Sequence, residues 1–117
     1  MSTKSIFDAF NRCREWLLPS LEDVTEDELL NALLTGHAQL WEGEGAAVVT
    51  ECTANPPSFH LYLAGGRLSK VMELLPGGLA WAKVMGCERV TVNGRKGWAR
   101  VLRKFGFEGD DMLVKAI

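Results

Sequence analysis

Few side chains in this sequence can do chemistry, and their spacing narrows what that chemistry is. In SFHLYLAGG, residues 58–66, apolar and polar side chains alternate as they do in a half-buried strand. That pattern predicts one face made of Phe59, Leu61 and Leu63 and another carrying His60 and Tyr62. An imidazole is the side chain best suited to moving a proton near neutral pH, and Tyr62 is the chain's sole phenol. The plainer reading of a lone strand histidine is that it hydrogen-bonds its neighbours. The other chemically soft residues do not cluster. Cys13, Cys52 and Cys87 are far apart, and no CxxC or Cys/His spacing joins them to each other or to His37. A metal site on these residues is therefore not expected, and the cysteines read as small buried thiols.

Charge is more suggestive than any nucleophile. The formal net charge is −2, yet Glu22, Asp23, Glu26, Asp27, Glu28, Glu42, Glu44 and Glu51 crowd the first half. Arg89, Arg95, Lys96, Arg100, Arg103 and Lys104 make a basic segment later. In GRKGWARVLRKFGF, Trp98, Val101, Leu102 and Phe105 form an apolar stripe, and Lys96, Arg100, Arg103 and Lys104 a cationic one. That reads first as a helix packed on a sheet with a solvated basic back. The alternative is a back that meets an anion. Nucleic acid is the weakest such partner, because the chain is acidic overall and no aromatic residues interleave with the basic ones.

The elements that would position these residues can be read along the chain. Residues 4–18 carry Ile6, Phe7, Phe10, Cys13, Trp16 and Leu17 at helical spacing, ended by Pro19. TEDELLNALLTG predicts a second helix, with Thr25 and Glu28 as a capping box and Gly36 as the stop. A hairpin turns around Gly43 and Gly45, and residues 58–66 form the third strand. A long helical pattern spans residues 68–86, with Pro76-Gly77-Gly78 expected to kink or split it. CERVTV reads as a strand, 96–105 as a helix and 111–117 as a last strand. At 117 residues, 47% hydrophobic and 24% charged, the chain suits one globular domain. The order α α β β β α β α β implies an α/β domain with crossover connections onto a mixed sheet. No apolar run approaches the roughly 18 to 20 residues that span a bilayer. The first residues lack a signal peptide's apolar core, so a cytosolic protein is expected.

This order resembles the GNAT acyltransferase fold, whose second half runs strand, cofactor helix, strand, helix, strand. The chain looks like a shortened version without the family's first and seventh strands: a mixed sheet of about five to six strands flanked by four helices. Within that superfamily AQLWEGEGAAVVTE, LYLAGGRL, WAKVMGC and GRKGWARVLRKFGF resemble small acetyltransferase-like proteins encoded by bacteriophages, over roughly residues 25–117.

The resemblance implies acetyl-CoA or CoA as cofactor, with no metal. Leu74-Leu75, Ala82 and Gly86-Cys87 match the end of the family's cofactor helix. Counting back, its two glycine positions fall on Ser69 and Val71, and its Gln/Arg position on Gly66. Val71 would crowd a pyrophosphate at the helix N-terminus, so Gly65, Gly66 and Arg67 are the expected substitute cradle. The backbone from Leu61 through Leu63 to Ala64 would clamp pantetheine. The family's acid, a tyrosine four residues before the glycine of Gly-Phe, is replaced by Leu102. Glu51 and His60 are the candidate bases, and Glu73 reads as the outer side of its helix. Two functions follow as expectations. One is a domain that has kept the acyltransferase shape and lost its chemistry, acting in accessory or virion-assembly roles by binding a phage or host protein, in the host cytoplasm or the virion. The alternative is an active N-acyltransferase acting on a small-molecule or peptide amine. An open sheet edge where the seventh strand would lie could pair in a homodimer.

Overall fold

A computed structural model describes residues 3–21, 24–94, 97 and 99–117. Arg95, Lys96 and Trp98, and Glu22 and Asp23, lie outside the described residues. The first helix, α1 (Thr3–Leu17), buries Phe10, Cys13 and Leu17, which recur at helical spacing. Phe7 faces outward, and Trp16 is half-buried. Pro19 falls in a single 3₁₀ turn, Leu18–Ser20, that closes the helix. In α2 (Glu26–Leu34), Thr25 is the N-cap; its Oγ1 accepts the Glu28 N–H at 3.1 Å. Arg14 Nη2 donates to Glu26 Oε2 at 2.9 Å, tying the end of α1 to the start of α2.

Five strands follow: β1 (Ala38–Gly43), β2 (Ala46–Thr53), β3 (Ser58–Gly66), β4 (Arg89–Asn93) and β5 (Met112–Ala116). They lie side by side in chain order, antiparallel except for the β3–β4 pair. That one parallel pair is linked by α3 (Leu68–Val84), and β4 connects to β5 through a short α4 (Ala99–Arg103). Among the described residues the fold is the expected α/β domain, with a five-stranded mixed sheet and four helices.

Each face of the sheet has its own core. On one side α1 and α2 pack Phe10, Leu17, Leu29 and Leu33 against Ala47, Val49 and Leu63. On the other, α3 and α4 pack Ala82, Ala99 and Leu102 against Phe59, Leu61, Val90 and Val92. Val71 lies at that second face with Ala46, Val48 and Ala64. Val71 is therefore a core residue, turned away from any ligand at the helix N-terminus.

Three expectations need correction. Of the kink or split expected at Pro76-Gly77-Gly78, the split does not occur: α3 runs unbroken through all three. Pro76 is exposed, while Gly78 lies so close to the sheet that a Cβ there would meet the Phe59 ring at 3.4 Å. Packing on both sides of the proline offsets the roughly 3 kcal/mol that a proline costs in a helix interior. Second, Phe105 does not belong to the buried stripe of α4; it is exposed past the helix end, where the chain turns to place Phe107 in the core. Third, Leu63 does not share a face with Phe59 and Leu61. Val49 pairs with Leu63 and Thr50 with Leu61, so Tyr62 is an extra residue in β3. This bulge moves Leu63 to the α1–α2 side, where Tyr62 also packs.

Candidate functional site

The bulge coincides with the place where the sheet opens. The parallel ladder of β3 and β4 runs from Ser58–Arg89 to Leu61–Val92 and stops. Beyond it β3 continues to Gly66, still paired with β2, while β4 ends at Asn93 and leaves with β5. Beyond Leu61, β3 is laddered to β2 alone among the described residues, and its β4-facing edge has no strand partner from Leu63 to Gly66. An extended ligand carrying amide groups can hydrogen-bond to such a strand edge.

His60 stands one rung before the apex. Its Nδ1 lies 2.8 Å from Thr91 Oγ1 on β4. Directly across the other ladder, Glu51 pairs with His60, so the two candidate bases are cross-strand neighbours. Alternation from Phe59 and Leu61 puts both on the α1–α2 side, and both are half-buried. Sequence separation hid this pairing, which only the β2–β3 register creates.

The proposed phosphate cradle has a different explanation. A Cβ at Gly65 would lie 1.6 Å from the Trp16 carbonyl oxygen, and one at Gly66 2.2 Å from the Gly45 carbonyl oxygen. These glycines let the end of α1 and the β1–β2 turn close onto β3, so packing alone requires them. Arg67 is exposed, and its N–H is turned to the Gly45 carbonyl at 3.4 Å. Its own carbonyl accepts from both Lys70 and Val71 at 3.0 Å. That leaves the N–H groups of Leu68 and Ser69 without a partner among the described residues. A phosphate at α3 would therefore meet two N–H groups, the Ser69 hydroxyl and the Arg67 guanidinium. Two N–H groups make a thinner anion site than a glycine-rich turn provides.

Leu102, at the position of the family's acid, is fully buried in the core and packs α4 on the sheet. Glu73 is exposed on the outer side of α3, 3.5 Å from Lys70. Beside the tail of β3 is a hollow of about 400 Å³, lined by Glu15, Trp16, Pro19 and Ser20 on one side and residues 64–66 on the other. A second hollow of about 520 Å³ follows the β1 edge between Ile6, Leu34, Trp41 and Trp81. Trp41 is half-buried there, edge-on to Trp81 and Phe59.

The cysteines also depart from expectation. Cys13 and Cys87 are buried, but Cys52 is exposed. Cys52 sits next to Cys87 despite their separation in sequence; desolvation of its thiol, reinforced by Cys87, pushes its pKa up to about 11. Burial pushes the Cys13 thiol up to about 11 as well. Among the described residues no three metal-ligating side chains come together. No described helix is long and apolar enough to cross a membrane.

No protein-family model matches the chain, and no curated protein matches it. Its fold is similar to that of a solved structure from Desulfovibrio desulfuricans assigned as an acetyltransferase of the GNAT family. The likeness has a TM-score of 0.55, covers 86% of each chain and carries 15% sequence identity. At that identity it is a likeness of architecture, and the fold of this chain is GNAT-like.

Proposed function

We propose that the protein binds an acyl-CoA-type thioester along the free edge of β3 and passes the acyl group to an amine. The observation that carries this is the end of the β3–β4 ladder at Leu61–Val92, beyond which β3 runs on to Gly66 with β2 alone among the described residues. When bound, the thioester supplies an activated acyl carbon, whose bond to sulfur breaks as its bond to the amine nitrogen forms. The chain's own part is to hold and to manage protons. Backbone groups of Leu63 and Ala64, beyond the last β3–β4 pair, align the arm, while Arg67 and Ser69 meet the phosphates. Glu51 and His60, side by side near the apex, accept the proton that an incoming ammonium must lose before attack. Leu102 cannot protonate the thiolate, so the second amine proton passes to sulfur directly or through solvent.

A second reading is favoured by the buried Leu102 and by the packing role of Gly65 and Gly66. In it the domain keeps the acyltransferase shape and works by binding another protein, as the phage-like resemblance implies, with the β1-edge hollow as the contact. Thermal-shift titration with acetyl-CoA and CoA separates the two. A site filled at one hundred times its Kd adds about 2.7 kcal/mol and raises the Tm by several degrees. A saturable rise that Arg67→Glu abolishes supports the thioester reading. No rise at millimolar acetyl-CoA defeats it and leaves the protein-binding reading.

A further inference from the structure

The hollow beside the tail of β3 has a sign. The Glu15 carboxylate, exposed at its rim, has no ion-pair partner among the described residues, whereas Glu26, Glu42 and Glu73 are all paired. No Lys, Arg or His lines the hollow. The C-terminal end of α1 adds negative potential there, because the Trp16 carbonyl faces Gly65 on the opposite wall. Arg14, the basic residue of that last turn, is turned away to Glu26. Half-buried Trp16 is among the lining residues, and an indole face attracts cations. Pro19 and Ala64 supply apolar wall.

None of the residues lining the hollow offers a phosphate a cationic partner. We infer that this hollow is a subsite for a small organic ammonium on a flat apolar body, held between the Glu15 carboxylate and the Trp16 indole. Its volume of about 400 Å³ accommodates a one- or two-ring amine. Glu15 then sets specificity by charge and Trp16 by shape. That this cation is the acyl acceptor rests on the thioester reading; that the hollow selects cations does not.

The test is a titration of the ¹⁵N-labelled whole chain, followed by NMR, with phenethylammonium and with phenylacetate, which share a ring and differ in charge. The Trp16 indole signal is assigned from Trp16→Phe. Phenethylammonium should shift that signal saturably, phenylacetate should not, and Glu15→Gln should weaken the ammonium roughly tenfold. Because Glu15 is exposed, the variant's unchanged Tm checks that it folds. Equal binding of phenylacetate, an unchanged Kd in Glu15→Gln, or no shift of the Trp16 signal would each overturn the inference. Acetyl-CoA is added separately and read at residues 61–66. If it fails to shift those while the ammonium still binds Trp16, the thioester reading falls and the cation subsite stands.

Discussion

His60 and Thr91 hold each other across the β3–β4 ladder, Nδ1 to Oγ1 at 2.8 Å, one rung before the strands part. Thr91 is buried, so its hydroxyl fixes the imidazole rather than competing with solvent. Thr91→Val keeps the shape and removes that partner. The expected cost is about 0.5–1.5 kcal/mol in urea unfolding, the net worth of one such hydrogen bond. A variant as stable as the parent would show that the imidazole does not depend on Thr91.

Two glycines with opposite surroundings make a paired prediction. A Cβ at Gly65 collides with the Trp16 backbone, while one at Gly77 meets nothing within 4 Å. Gly65→Ala should therefore cost at least about 3 kcal/mol, since backbone cannot give way as a side-chain tip can. Gly77→Ala, in the middle of α3, should gain about 0.5–1 kcal/mol from helix propensity. Chemical denaturation of both reads the contrast, and the opposite order would contradict the close approach of α1 to β3.

Thr25 caps α2 through its hydroxyl. Thr25→Ala should lower stability by about 1 kcal/mol, with Thr25→Ser close to the parent. Thermal unfolding of the three proteins measures it.

The raised thiols give a pH dependence with a definite sign. Cys13 stays protonated in the fold up to about 11, from an ordinary value of 9.0. The unfolded chain ionises first as pH rises, so the stability held by this neutral thiol is complete below pH 9.0 and drains away toward about 11. Urea unfolding across that window should show a decline that is shallower in Cys13→Ala. Cys52, exposed but also raised to about 11, should be the first thiol alkylated by iodoacetamide, at a rate still climbing at pH 10. A plateau by pH 9 would contradict the raised value.

Local signals read well from sequence: the Thr25 cap, the Pro19 stop, the hairpin after Gly43 and the order of all nine major elements each rest on a few adjacent residues. What sequence hid was set by contacts between distant segments. The bulge at Tyr62 breaks the two-residue alternation, and nothing in SFHLYLAGG marks which residue is extra. The unbroken α3 depends on Phe59 and the sheet, which outweigh a strong local breaker. Gly65 and Gly66 looked like ligand glycines because sequence cannot say that the end of α1 and the β1–β2 turn come to rest on them. Of the candidate site, Glu51 and His60 were legible as types but not as cross-strand neighbours.

The parallel ladder that ends at Leu61–Val92 also bears on how the molecule comes apart. β1, β2 and β3 form a meander of adjacent segments with long antiparallel registers. The β4–α4–β5 unit joins it through a much shorter ladder, closed only after the whole of α3 has been traversed. Such a seam forms late in folding and opens early, because the loop entropy it must overcome is larger and its reward smaller. Amide hydrogens of β4 and β5 should exchange through partial opening at this seam, while those shared by β2 and β3 wait for global unfolding.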